Sequence, residues 1–348
     1  MKKHVRKDLL SLIAILGFCI VLFSSCQDGT RVGKEDMEKG TEFTIAIFQI
    51  VDYELIANMR LAFVDEIQKS NLATKSKIAI LPYKDAHNDV NLTNQIADQL
   101  IAEDPDLIYV LGTPAAQALV QRTKTIPIIQ GAVTDPVAAQ MAASWNGSGC
   151  NYAASTDFPP VDAQFELIKK VLPDVKTVGA VYSSGEANSQ ALMTRVRPSC
   201  KKAGFLLIEK PVTGSAEVQT AATALVGNCD VIYITTDNTV ISAISSLLEV
   251  AQDNNIPVVA CTREDVKKGA LFALGVSYDE LSRIAARIAV RVLEGEDPGS
   301  IPIALVDEPD LYWNIGKAEE LGIELPEDLK PQVKLWYRNE LEEPHPRL

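Results

Sequence analysis

The chain has 348 residues, 47% hydrophobic and 23% charged, with a net charge of −13 and a pI near 4.8. That length is generous for one core and comfortable for two lobes of ordinary size. The acidity excludes a nucleic-acid partner, whose phosphates need a basic face, and leaves a small ligand of either sign open.

The amino terminus carries Lys2, Lys3, Arg6 and Lys7, then an apolar run over 9–23. Its length is about 15 residues, short of the about 20 that a spanning helix needs. The run ends in Leu22-Phe23-Ser24-Ser25-Cys26, small residues directly before a cysteine, with Phe23 a loose choice at the third position before it. This is the layout of a bacterial lipoprotein signal, cleaved before Cys26, whose thiol then carries diacylglycerol. Residues 1–26 are expected to be that signal, and the polar stretch 27–42 a flexible tether to an extracytoplasmic body. Four cysteines remain, Cys150, Cys200, Cys229 and Cys261, with no CxxC spacing and only three histidines, so no ligand set for zinc is present. No metal or cofactor is expected. An oxidising compartment permits disulfides, and a Cys200–Cys229 bridge stays open.

Beyond the tether, apolar strands alternate with helical patterns. Strands are expected at 43–49, 77–83, 106–111 and 126–130, with helices over 53–69 and 91–103 and from Pro114. Such βα units without hairpin signals imply parallel sheets covered by helices. The grammar restarts at 177–182, with strands at 205–209, 230–235 and 256–260. Helices are expected at 187–203, 216–226 and 239–253, and the Arg197-Pro198 step is expected to kink or divide the first. A strand at 270–276, a helix at 278–294, a strand at 301–306 and a short helix at 316–321 follow. The run Asp106-Leu-Ile-Tyr-Val-Leu-Gly-Thr-Pro parallels Asp230-Val-Ile-Tyr-Ile-Thr-Thr-Asp-Asn, and each leads through a helix into an Ile-Pro strand. The halves therefore read as an internal duplication.

The fold expected is α/β, two doubly wound parallel-sheet lobes joined by a three-strand hinge. Residues 43–150 with 277–300 would form the N-terminal lobe, and 151–276 with 301–335 the C-terminal lobe. Ligands of such sheets bind beyond the carboxyl ends of the strands. The polar loops there contain Gln49, Gly112-Thr113-Pro114-Ala115-Ala116, Thr134-Asp135-Pro136, Ser184-Gly185-Glu186-Ala187-Asn188-Ser189 and Asp237-Asn238. Thr113 reads as an N-cap with Pro114 at the first helical position, leaving the N–H groups of Ala115 and Ala116 free for a carboxylate. Together these loops suit a zwitterion. No phosphate-binding motif occurs, and an enzyme is not expected: the mature chain has only His87 and His345 as imidazole bases.

At these loops the sequence resembles the ABC-transporter substrate-binding proteins of type I periplasmic-binding fold, a family that includes tryptophan- and aromatic-amino-acid-uptake lipoproteins. The marks are Phe48-Gln49-Ile50-Val51, Thr113-Pro114-Ala115-Ala116-Gln117, Thr134-Asp135-Pro136-Val137, Ser183-Ser184-Gly185-Glu186-Ala187-Asn188-Ser189, Thr236-Asp237-Asn238-Thr239 and Lys317-Ala318-Glu319-Glu320-Leu321-Gly322. The resemblance implies capture of an α-amino acid, an aromatic one such as tryptophan or phenylalanine within the expectation. It also implies delivery by a monomer to a permease and its ATPase. Carried over by position, Thr113, Asp135, Ser184, Asn188, Ser189, Asp237 and Asn238 would line the cleft, with Gln49 and Glu186 beside them. Two segments depart from the family pattern, Asp52-Tyr53-Glu54 and Ser277-Tyr278-Asp279-Glu280-Leu281. Tyr53 and Tyr278 in them are placed to stack on an aromatic ring. A sensory receptor of the same fold is the alternative, and a hydrolase pairing Glu186 with Asp237 a remote one.

Overall fold

The computed structural model describes residues 41–306 and 308–338. The signal, Cys26 and the tether up to residue 40 lie outside the described residues. Two sheets organise the chain. The first contains β1 (Glu42–Gln49), β2 (Lys77–Ile80), β3 (Lys84–Asp85), β4 (Leu107–Leu111), β5 (Ile128–Val133) and β6 (Tyr152–Thr156), in the order β2-β1-β4-β5-β6 with β3 beside β1. The second contains β7 (Thr177–Ser183), β8 (Leu206–Val212), β9 (Val231–Ile234), β10 (Val258–Ala260), β11 (Phe272–Gly275), β12 (Asp310–Asn314) and β13 (Val333–Tyr337), in the order β13-β12-β11-β10-β9-β7-β8. Among the strands of the described residues, only the β11–β12 pairing is antiparallel. Central strands such as Leu107–Leu111 and Val231–Ile234 are buried along their whole length because helices cover both faces.

With the two-residue β3 set aside as a continuation of β2 along β1, both halves follow one order: the second strand lies beside the first, and the next strand, β4 or β9, lies on its other side. The duplication read from the Asp106 and Asp230 segments is thus repeated in topology. In each half the order reverses where a first strand meets a third, at β1/β4 and at β7/β9. A crevice opens beyond the carboxyl ends of strands at such a switch point. Here the two crevices face one another. Tyr53, which follows β1, packs against the apolar cores of both lobes.

Several boundaries differ from the sequence reading. The segment 152–156, assigned there to the second lobe, is the edge strand of the first sheet and pairs with β5. The chain therefore crosses after Thr156, just beyond the crossing expected near Cys150–Ser155. The expected strand at 301–306 is a single bridge, Ala304 to Ser155, so the last crossing follows residue 304. The strands β12 and β13 were not foreseen, since Asp310–Asn314 sits in a Pro-rich context and pairs with β11, far back in the chain. The helix Ala187–Ala203 runs through Pro198 undivided. The stretch expected as one helix over 239–253 is two, Asn238–Ser242 and Ile244–Asp253, because Ala243 leaves helical geometry with φ −118° and ψ 20°. Cys200 and Cys229 are free thiols in core clusters on opposite faces of the second sheet, so they do not meet.

Candidate functional site

The facing switch points enclose a cleft with about 620 Å³ of space free of protein atoms, open solvent included. Its first-lobe wall consists of Tyr53, Leu55, Ile56 and Met59 after β1, Gly112 and Thr113 after β4, Gly131, Ala132 and Thr134 at the end of β5, and Tyr278. None of these carries a charge at neutral pH. The second-lobe wall is polar: Asn188 after β7, Thr235 to Asn238 after β9, and Thr262, Glu264, Asp265 and Lys268 after β10, with Ile241 the one apolar member. Asp157 lies between the lobes at the first crossing.

Two first-lobe helices aim their N-termini at this space. The helix Glu54–Lys69 has Tyr53 as its N-cap and the helix Thr113–Arg122 has Gly112, and neither receives a side-chain cap. Gly112 stands at φ 95°, and a Cβ there would meet Ile50 Cγ2 at 2.3 Å, so the tight turn into the helix needs glycine. Thr113 is then the first helical residue rather than the cap. The N–H of Ala116 closes the helix on the Gly112 carbonyl at 3.2 Å. The side chains of Ala115 and Ala116 are wholly buried in the first-lobe core.

The acidic residues do different work. Asp237, 1% exposed, caps its helix by accepting from Val240 N–H at 2.8 Å. Its other oxygen accepts from the Ser183 N–H and from Ser189 Oγ at 2.6 Å. Burial, with the Glu186 carboxylate second, pushes its carboxyl well above the usual range. Glu186 accepts five hydrogen bonds, from Asn188 Nδ2, from the N–H and side chain of Asn238, and from the N–H and hydroxyl of Thr239. It ties the β7 and β9 loops together behind the cleft wall and is not part of that wall. The two carboxylates of the hydrolase alternative, Glu186 and Asp237, are thus both engaged by the loops around them.

Asp157 accepts from Thr134 Oγ1 at 3.0 Å and from Tyr278 Oη at 2.8 Å, and burial raises its carboxyl above the ordinary value. Asp265 accepts from Thr262 Oγ1 at 2.7 Å, and burial raises it to about 7. Tyr53 is held neutral far above its usual range by burial, then by the charges of Asp265, Glu186, Asp157 and Glu264. The cleft is therefore electronegative, with Lys268 its single lining cation. Two polar atoms in the second-lobe wall are buried without a partner, Asn188 Oδ1 and Thr235 Oγ1. An unpaired buried acceptor costs on the order of 1–3 kcal/mol, which a bound donor would recover.

Of the residues expected from sequence, Thr113, Asn188, Asp237, Asn238 and Tyr278 line the cleft. Asp135 instead holds the turn after β5, accepting from Val137 and Ala138 N–H. Ser184 is exposed and bonds the Val212 carbonyl. Ser189 is buried on Asp237. Gln49 lies buried at the end of β1, its Oε1 taking a hydrogen bond from Arg60 and its Nε2 unpartnered. The polar loop that sequence reasoning placed at the cleft began at Thr235, which does line it, whereas Asp157, Thr262, Glu264, Asp265 and Lys268 were missed. The polar run Thr262-Arg263-Glu264-Asp265, just beyond β10, the fourth strand of the second half, was a signal available by the same switch-point rule.

Comparison with known proteins places this geometry. A family model described as ABC transporter substrate binding protein matches residues 44–334. A tyrosine-binding protein of Clostridioides difficile is 33% identical over 312 residues, 88% of this chain and 90% of that protein. The structure of a Streptococcus pneumonia ABC domain in complex with L-Trp is 27% identical, covers 86% of this chain and 100% of that one, and superposes with a TM-score of 0.80. The ligand-free, open structure of a Clostridium difficile substrate-binding protein with adhesive properties is 33% identical, covers 85% of this chain and 99% of that one, and gives a TM-score of 0.65. The better match to the liganded relative, despite lower identity, agrees with contacts made here across the cleft. These include Thr134 Oγ1 to Thr236 Oγ1 at 3.1 Å, Asn88 Nδ2 to Thr239 Oγ1 at 3.3 Å, and the Lys267–Glu54 ion pair at 2.9 Å.

Proposed function

We propose, on the premise that this chain belongs to the ABC transporter substrate-binding proteins, that it captures an aromatic α-amino acid between its lobes and delivers it to a permease. The carrying observation is the asymmetry of the cleft. Buried carboxylates and an unpartnered acceptor stand on one side, and Tyr53, Ile56, Met59 and Tyr278 form an uncharged wall on the other. An ammonium group satisfies the former, while an aromatic ring buries about 150–250 Å² against the latter. The tyrosine- and tryptophan-binding relatives support the same ligand class. The matching family and the ligand-bound relative are substrate-binding proteins, and capture rather than turnover is the reading they support. Anchoring through a lipid on Cys26 completes the proposal, and Cys26→Ser is expected to move the protein from the membrane to the soluble fraction.

Ligand-stripped protein titrated calorimetrically at pH 8 is expected to bind L-tyrosine, L-tryptophan or L-phenylalanine one-to-one, and ribose not at all. Saturation by ribose, or by none of the three amino acids, sinks the proposal. The pH dependence has a fixed sign. Asp157, Asp237 and Asp265 have raised carboxyl pKa values in the empty protein, Asp265 near 7. An ammonium ligand favours their ionised forms, so binding releases protons and affinity rises from pH 5.5 to 8. Without ligand the sign is opposite. The stability that Asp237 and Asp265 supply is fully present below their unfolded value of 3.8 and is lost as pH climbs through their folded values near 7, and the raised Asp157 carboxyl acts with the same sign.

A further inference from the structure

The distribution of donors and acceptors across the cleft carries a further inference, which rests on the amino-acid reading above. We infer that the ligand lies in one polarity, its carboxylate against the first lobe at Thr113 and its ammonium against the second lobe at Asn188.

The Asn188 side chain is 3% exposed and lines the cleft. Its Nδ2 donates to Glu186 Oε2 at 3.1 Å and to the Thr236 carbonyl at 2.8 Å. A peptide carbonyl can only accept, so the amide nitrogen must face that way. Oδ1 is thereby turned to the other side, where it has no partner. The second lobe thus presents a fixed acceptor, beside the Asp237 carboxylate. It also withholds backbone donors at its helix start, leaving the Thr235 hydroxyl and Lys268 as side-chain donors. The first three N–H groups of the helix Asn238–Ser242 are all taken, Asn238 and Thr239 by Glu186 and Val240 by Asp237. Glu186 and Asp237 act as built-in anions that fill the place a ligand carboxylate would seek there.

The first lobe is the complement. Apart from Asp157 at the crossing, which Thr134 and Tyr278 hold, it lines the cleft with no charged side chain, and it points two helix N-termini, at Tyr53 and Gly112, into it without side-chain caps. Its donors include the Thr113 hydroxyl, in a residue 3% exposed. Uncapped N–H groups and the helix dipole favour a carboxylate. Lys268 is the one competing cation, and it faces Asp265, whose charge it offsets.

The test uses three probes on the full-length protein: L-tyrosine, L-tyrosinamide, which lacks the carboxylate, and 3-(4-hydroxyphenyl)propionate, which lacks the ammonium. Asn188→Leu is expected to weaken L-tyrosine and L-tyrosinamide together, tenfold or more, and to move the affinity ratio in favour of the propionate. Thr113→Val is expected to weaken L-tyrosine and the propionate about fivefold and to spare the amide. Because each variant keeps its affinity for one probe, loss through misfolding is separable from loss of a contact. Where an analogue binds too weakly to measure, L-tyrosine labelled with ¹⁵N at the ammonium and ¹³C at the carboxylate reads the same question. Asn188→Leu should shift the nitrogen resonance of the bound ligand and Thr113→Val the carbon resonance. The reverse pairing, or carboxylate dependence abolished by Lys268→Met instead of Thr113→Val, overturns the inference. Wild-type protein that binds no L-tyrosine, L-tryptophan or L-phenylalanine overturns the amino-acid reading instead.

Discussion

Asp157→Asn is expected to weaken capture of an aromatic amino acid about a hundredfold while making the empty protein more stable. Removing one member of a buried hydrogen-bonded charge pair costs on the order of 2–5 kcal/mol of binding, and a hundredfold lies within that range. Asp157 is 6% exposed and receives only two side-chain hydrogen bonds, from Thr134 and Tyr278, so it retains acceptor capacity toward the cleft. Burial is the first cause of its raised carboxyl. In the empty protein at pH 8 the charge is therefore a cost. Asparagine removes that cost and keeps the shape, and both neighbouring hydroxyls can reorient to bond the amide. The paired result, weaker binding by calorimetry and a higher melting temperature without ligand, distinguishes a group held for a ligand from one that serves the scaffold. Unchanged affinity in Asp157→Asn would remove Asp157 from the site.

Asp237→Ala is expected to lose both properties. It weakens amino-acid binding at least tenfold and lowers the stability of the empty protein. The carboxylate caps the helix Asn238–Ser242 and holds the Ser183 N–H and the Ser189 hydroxyl. Loss of a cap costs about 1 kcal/mol, and each buried donor left without an acceptor on the order of 1–3 kcal/mol. Relief of the desolvated charge offsets part of this, so the net loss is expected near about 2 kcal/mol. The variant still folds, because the two cores flanking the second sheet are untouched. Chemical denaturation and calorimetry on the same preparation check both halves. Full affinity together with lowered stability would make Asp237 a scaffold residue only.

The contrast between these aspartates shows what the sequence could and could not reveal. Asp237 was legible because it follows an apolar strand directly and opens a helix, the pattern that marks a switch-point loop. Thr113 and Asn188 were legible for the same reason. Asp157 was not, because its role depends on hydroxyls at Thr134 and Tyr278, 23 and 121 residues away in the chain. The same long-range dependence misled in the other direction. Asp135, Ser184 and Ser189 have cleft-like chemistry, but their hydrogen bonds go to local turns and to Asp237. Ala115 and Ala116 follow a helix start that does face the cleft, yet their side chains pack the core behind it.

The fold was more legible than the site, since it rests on local signals. Strands such as Leu107–Leu111 announce themselves as short runs of β-favouring apolar residues, and the repeated Ile-Pro strand starts exposed the duplication. The errors lie where partners are distant. β6 was placed in the wrong lobe because only its pairing with β5 assigns it. β12 and β13 escaped notice because they continue the second sheet after the chain has left it for the helix Tyr278–Leu293.

Closure over a single guest is most directly tested by small-angle scattering of ligand-stripped protein as L-tyrosine is added. The two walls meet here through Thr134–Thr236, Asn88–Thr239 and Lys267–Glu54, contacts that a separated pair of lobes cannot make. The radius of gyration should fall on addition of one equivalent and then stay constant. A radius unchanged at saturating L-tyrosine would contradict the account.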